Sequence, residues 1–364
     1  MALKRLESFL NRLACTPGLS GHEQRVFQLL ADEFSRCGLA PKTDTLGNCM
    51  AKVEGTDPDA PVIMIFAHMD SLGFVVRYIE EDGFIRLERL GGIPEKALPA
   101  TQIQVGTRDG AWLDGVIGMK AHHVTPPEEK YVVDKYTKLF VDIGASSRKE
   151  VLDLGIDVGS PIIYKPKYQK LLGTRVLGSF FDNRSGCATL LALSDMLKER
   201  EVPSTVWLAG TVLEEYNLRG AMVASRTIKP DIAIGIDGGN AADTPDLQGQ
   251  TLSCLGKGPI LTHYNFHGRG TLNGTIAHPA MVRLMEECAR HAGVSFQRRA
   301  LLGGLTDLSY VQLEGTGIKS IDLGAPRRYS HGPCEVMDLN DIQQLVLWLE
   351  DFLTRNLKDY DFSR

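Results

Sequence analysis

Five short stretches place acidic or imidazole side chains where runs read as buried strands stop: Ala67-His68-Met69-Asp70, Phe181-Asp182-Asn183, Leu213-Glu214-Glu215, Ile236-Asp237-Gly238-Gly239 and Ser330-His331-Gly332-Pro333. If those runs are buried strands, the groups sit at strand ends, where open α/β sheets bind their ligands. Ionised carboxylates buried there cost several kcal/mol each unless they pair or bind a cation. Few lysines or arginines are adjacent in sequence, so the expected compensating charge is metal. A two-metal hydrolytic site needs a bridging carboxylate, further oxygen or nitrogen ligands for each ion, and a base for the shared water. Imidazoles and carboxylates without a thiolate suit Zn2+, Co2+ or Mn2+ better than Ca2+ or Mg2+. Asp70 lies two residues from His68, so both point the same way along an extended chain. It is thereby placed to hold the second ring nitrogen of that histidine. Glu214 and Glu215 point to opposite sides, so one can ligate while the other reaches the water.

These groups need elements to hold them. Leu3, Leu6, Phe9, Leu10 and Leu13 form one stripe of a helix from Leu3 to Ala14, which Thr16-Pro-Gly18 breaks. Ser20-Gly-His-Glu23 reads as a capping box that starts a second amphipathic helix, ended by Gly38. Pro61 to Phe66 is a continuous apolar run, the pattern of a strand buried on both faces. From residue 71 to about 167 the texture becomes short β-like runs punctuated by Gly and Pro, with one short helix capped at Ser147. Alternating helices and strands resume after that, including a helix from about Arg184, strands over Ser204–Leu213, Asp231–Ile236 and Gly317–Leu323, and helices over Pro279–Ala292 and Leu339–Leu353. The expectation is an α/β fold with a mostly parallel central sheet flanked by helices, built from residues 1–70 and 168–364. Residues 71–167 form an inserted, barrel-like β module.

Composition narrows the function classes. The 364 residues are 43% hydrophobic and carry a formal charge of −5 without a basic run, which argues against nucleic acid and anionic membrane as partners. The apolar runs are strand-sized, and Glu7 interrupts the N-terminus before an apolar leader core can form. Seven scattered cysteines without a Cys-x-x-Cys pair read as free thiols, and the expected location is the cytoplasm. His122-His123 reads as a surface or interface loop, Cys334 as a small buried residue and Gly256-Lys-Gly258 as a turn.

The sequence resembles the tetrahedral aminopeptidase family, the di-metal peptidases that include glutamyl and deblocking aminopeptidases. The matching stretches are Thr16-Pro-Gly-Leu-Ser-Gly21, Ala67-His-Met-Asp-Ser-Leu-Gly-Phe74, Gly115-Val-Ile-Gly-Met-Lys120, Asp142-Ile-Gly-Ala-Ser-Ser147, Phe181-Asp-Asn-Arg-Ser-Gly186, Glu214-Glu215 with Leu218-Arg-Gly220, and Tyr329-Ser-His-Gly-Pro-Cys-Glu335. The resemblance implies a zinc-exopeptidase-like fold that removes N-terminal residues from short peptides, with two divalent ions (Zn2+ or Co2+, alternatively Mn2+). It implies Asp182 as the bridging carboxylate, His68 and Asp237 on one ion, and Glu215 and His331 on the other. Glu214 becomes the general base and Asp70 the group that orients His68. It further implies a homo-oligomer whose dimers form through the β module and assemble into a dodecamer. The chain departs from the family pattern at Asn183, Tyr216-Asn217, Gly332 and Leu305. Other readings of the same residues are a glycosidase using Glu214 and Asp182, a deacylase, and a metal-stabilised scaffold without turnover.

Overall fold

The computed structural model describes residues 3–247, 249, 253–267 and 274–364. Its centre is a mixed sheet whose middle is parallel: Val206–Thr211, Ile63–His68, Ile232–Ile236 and Lys319–Gly324 lie side by side in that order. Antiparallel strands flank them, Cys49–Val53 beside Val206–Thr211 and Ile260–Phe266 beside Lys319–Gly324. The α/β architecture expected from the alternating pattern is present.

The central strand shows why the sequence folds this way. All six residues of Ile63–His68 are buried, and successive side chains enter different cores. Ile63, Ile65 and Ala67 join the large core under helices Leu3–Ala14, Phe181–Leu197 and Leu339–Leu353. Met64 and Phe66 join a smaller one under Gly220–Ile228 and Leu308–Val311. Cutting Ile65 back to Ala would therefore leave a cavity in the large core, a change that typically costs about 2–5 kcal/mol. Helices on both faces leave only the strand ends open to ligand.

Between the first and second parallel strands in sequence, six strands close into a barrel: Gly73–Ile79, Ile85–Leu90, Val141–Asp142, Trp112–Ile117, Gln102–Gly106 and Pro161–Tyr164. It has its own core, with Phe74, Val76, Leu87, Ile103 and Ile162 inside. The Ser147 cap is real, since its side chain accepts from the Glu150 N–H at the start of Arg148–Asp153.

One local expectation fails. Helix Gln24–Arg36 begins at Glu23 without a side-chain cap bond, so Ser20 and Glu23 form no capping box. Ser20 instead donates to the Asp70 carboxylate at 2.5 Å, and Glu23 accepts from the Gly21 and Leu213 N–H groups. Both side chains are recruited by the strand ends, where buried donors and acceptors need partners more than a helix terminus does. No helix among the described residues is long and apolar enough to cross a membrane.

Candidate metal centre

The parallel strands deliver their ends to one place. His68 closes its strand, Asp237 follows Ile232–Ile236 directly, and Glu214 and Glu215 follow Val206–Thr211 after a short turn. Asp182 opens the long helix behind them in a non-helical conformation, and His331 arrives on a loop in the left-handed region, φ 64°.

Ligand atoms of His68, Glu214 and Asp237 lie within 4.8 Å of one another, and so do those of Asp182, Glu215 and His331. Asp182 touches both groups. Its Oδ1 is 3.3 Å from His68 Nε2 and its Oδ2 is 3.2 Å from His331 Nε2. The two rings are fixed from behind, because His68 Nδ1 is 3.1 Å from the Asp70 main-chain oxygen and His331 Nδ1 is 2.5 Å from the Gly92 oxygen. Gly92 belongs to the β module, so the barrel helps to aim a site residue.

Asp70 does more than orient His68. Its Oδ1 lies 3.5 Å from the ring nitrogen, a looser contact than the one from its own main chain. The carboxylate is taken up by the Glu214 N–H on Oδ1 and by the Glu215 N–H and Ser20 hydroxyl on Oδ2. It thus fixes the backbone of the glutamate pair. Burial pushes the Asp70 carboxyl up, but His68, Ser20 and the Glu214 N–H outweigh that and hold it below the usual range.

Burial and neighbouring acids push Glu214 well above the ordinary carboxylate range, and Glu215 and Asp237 move the same way. His331 rises because Glu215 and Asp182 outweigh its own desolvation. Of the ligand carboxylates Asp182 alone is held low, by Arg327 and the two imidazoles against its burial, so Glu214, Glu215 and Asp237 are the carboxylates left short of positive charge. Glu215 Oε1 is buried with no hydrogen-bond partner, a free ligand position facing its own triad. The donor set of imidazoles and carboxylates fits divalent cations of the Zn2+, Co2+ and Mn2+ kind.

Reasoning from sequence missed two arginines. Arg327 is buried, donates to Asp182 and to Ser330, and lies 3.3 Å from Glu335. Arg299 is buried on the strand Gln297–Leu302, which pairs with Ile260–Phe266. The small number of basic residues adjacent in sequence is therefore not a shortage of them in space. A sequence signal did exist for the first, since Arg327 lies three residues before the Ser330-His331 stretch. Arg299 sits in a Gln297-Arg-Arg-Ala300 strand with nothing to distinguish it. Asn183 holds the site together mechanically, donating to the Ile236 oxygen and accepting from Gly186. His122 and His123 are exposed in a short turn, and Gly256 and Gly258 donate to Asp341, a side-chain-capped turn.

A cleft of about 790 Å3 opens over the site, with Glu214, Glu215, Asp182 and Asp237 on its floor and Gly92 to Pro94 of the β module on its wall. Residues 47–347 match the model of the M42 glutamyl aminopeptidases. The chain belongs to that family. SgcX of Escherichia coli (strain K12), which carries a provisional aminopeptidase name, is 39% identical over 90% of this chain and 88% of its own. Among solved structures, the aminopeptidase APDkam598 from the archaeon Desulfurococcus kamchatkensis superposes with a TM-score of 0.92 at 31% identity, covering 98% of this chain and 97% of that one. The Pyrococcus horikoshii TET1 peptidase, described as assembling into a tetrahedron or a large octahedral shell, gives 0.84 at 29% identity over 96% and 99%. A Thermotoga maritima chain labelled endoglucanase also superposes, at 0.74 and 27% identity over 96% and 97%. That label does not fit the site: hydrolysis of a sugar by two carboxylates leaves His68 and His331 without a role. This M42 enzyme is a peptidase of the aminopeptidase type, and divalent metal is the cofactor class its site calls for.

Proposed function

We propose that the protein removes single residues from the free N-terminus of short peptides, with two divalent ions held at the strand ends. Asp182 would bridge them, with His68 and Asp237 on one and Glu215 and His331 on the other. The observation that carries this reading is the position of Asp182, one oxygen 3.3 Å from His68 and the other 3.2 Å from His331. When bound, the ions would supply Lewis acidity for the attacking water and the scissile carbonyl.

The rest of the reaction falls to side chains. Glu214 is the general base: its carboxylate lies within the first triad, 3.9 Å from His68 Nε2, and its backbone is clamped by Asp70. It takes the proton of the attacking water on a carboxylate oxygen and later gives it to the leaving amine. Burial pushes its proton affinity up, the direction that suits a group that takes a proton from water and returns it. Gly92 and Tyr164 of the β module position the His331 segment, the ring from one side and its carbonyl from the other. The acidic floor favours a free α-amine at the cleaved end, which accounts for exopeptidase action.

The β module would form dimer contacts, and dimers would build a larger shell of the kind described for the TET1 peptidase. Seven free cysteines suit a reducing cytoplasm. The test is a panel of aminoacyl chromogenic substrates, with metal-free protein reconstituted with Zn2+, Co2+ or Mn2+. Cleavage of free but not N-acetylated substrates, restored by metal, supports the proposal. Preference for N-acylated substrates would make it a deacylase, and no turnover with any ion would make it a scaffold.

A further inference from the structure

Beside the metal floor lies a second, much smaller space. A cavity of about 10 Å3, room for one water-sized guest, shares Glu214, Asp237 and Thr306 with the cleft and has Phe66, Gly235, Asp307 and Asp322 on its other walls. Asp307 and Asp322 are 4% and 3% exposed, and each is only half satisfied. The Thr211 hydroxyl donates to Asp307 Oδ2 at 3.1 Å and the Thr306 hydroxyl to Asp322 Oδ2 at 2.8 Å, whereas Oδ1 of both is buried without a hydrogen-bond partner. Gly235 makes room for one of these oxygens, since a Cβ there would lie 2.5 Å from Asp322 Oδ1. Neither aspartate belongs to the two metal triads. No Lys, Arg or His nitrogen among the described residues comes within 4.0 Å of either carboxylate.

The protein's own charges do not cover this pair. With both proposed divalent ions in place, those ions, Arg299 and Arg327 offset Asp70, Asp182, Glu214, Glu215, Asp237 and Glu335, and Arg184 offsets Glu23. Asp307 and Asp322 are left over, and burial leads in pushing both carboxyls up to about 7. Two buried carboxylates whose free oxygens face one cavity are costly unless a cation joins them. We infer that the cavity holds one monovalent metal cation, potassium, between Asp307 Oδ1 and Asp322 Oδ1. The charge count rests on the di-metal reading; the cavity and its two unpartnered oxygens do not. Oxygen donors alone select a hard ion. Mg2+ and Ca2+ demand about six or more ligands, and a cavity for one guest has no room for the waters that would complete that shell. Potassium is close to water in size and accepts an irregular oxygen cage. By joining Asp307 to Asp322 it fixes the preceding Gly303 to Thr306, which wall the cleft, onto strand Lys319–Gly324.

The experiment uses the whole metal-loaded protein at about pH 8.5, where both carboxyls are ionised, with thallium(I) as an anomalously scattering stand-in for potassium. Wild-type crystals soaked in thallium acetate should show an anomalous peak between Asp307 and Asp322 that excess potassium displaces. In solution, potassium chloride should raise the melting temperature above that in tetramethylammonium chloride of equal ionic strength by about 2–5 °C, in a saturable way. Asp307→Asn and Asp322→Asn, both nearly isosteric, should lose that response. KM for leucyl p-nitroanilide should fall in potassium by about two- to tenfold, as the cleft wall is held in one arrangement. A cavity without an anomalous peak overturns the inference, because water then fills it, and so do wild-type melts that are equal in the two salts. It is equally overturned if the wild type and Asp322→Asn respond alike, since potassium then acts elsewhere. The thallium arm needs no variant, so a substitution that fails to fold leaves the test intact. A protein inert towards every anilide that still shows the peak would bring down the aminopeptidase reading and leave the cation site standing.

Discussion

Replacing Asp70 by Asn separates the two jobs this carboxylate could have. In the structure Oδ2 accepts from Ser20 at 2.5 Å and from the Glu215 N–H at 3.0 Å, while Oδ1 accepts from the Glu214 N–H at 3.0 Å and lies 3.5 Å from His68 Nδ1. An asparagine keeps most by leaving its oxygen at the Oδ2 position. The Glu214 N–H then faces an NH2 group and loses its acceptor. Losing a charged hydrogen bond and orphaning a buried donor together cost about 3 kcal/mol, a large part of the roughly 5–15 kcal/mol that holds a domain folded. At about 1.4 kcal/mol per tenfold, local protection over Val212–Leu218 should fall by roughly a hundredfold. The assays are urea unfolding, hydrogen exchange followed by mass spectrometry on that segment, and metal content. The expected result is lower stability, faster exchange at Glu214, reduced kcat and retained metal. Lost metal with unchanged exchange would refute the reasoning, because it is what a residue serving only His68 would produce.

Deleting residues 71–167 with a short Gly/Ser join removes Gly92, so metal content should fall most at the Glu215–His331 side, by about 10–100-fold in affinity, and large assemblies should disappear. Elemental analysis and light scattering check this, and full metal content would show that the barrel does not aim His331. Asp341 is buried and its carboxyl is pushed up to about 6, by burial first and against the Gly256 and Gly258 N–H groups. Its folded form binds a proton more tightly than the unfolded chain does, so its contribution is full below about pH 4 and is lost as pH rises through about 6, roughly 3 kcal/mol in all. Urea midpoints of Asp341→Asn from pH 4 to 7 should lack that part of the slope, and parallel curves would refute it.

Much of this was legible in the chain because hydrophobic burial writes a period into sequence. The helix over Leu3–Ala14 and the one over Leu339–Leu353 appear where their apolar stripes put them. Ile63–His68 was readable because a strand covered on both faces has no polar alternation. His68, Glu214, Glu215 and Asp237 follow such runs, whereas Asp182 opens a helix and His331 stands on a loop, and the structure brings all six together. What stayed hidden is what depends on distant partners. Ser20 and Glu23 satisfy a local capping pattern, yet strand ends that are remote in sequence claim them. Arg299 lies 62 residues after Asp237, and only the fold places it over Gly239. The help that Gly92 gives His331 spans 239 positions, and no spacing rule could reach that far.

The central claim is that Glu214 moves the proton while its neighbours hold the metal, and Glu214→Gln measured for metal content and peptide turnover on the same sample tests it most directly. The amide is nearly isosteric but cannot take the proton of water. The account predicts wild-type metal content with kcat lowered by about 10²–10⁴-fold. Full metal content with near-wild-type turnover would contradict it.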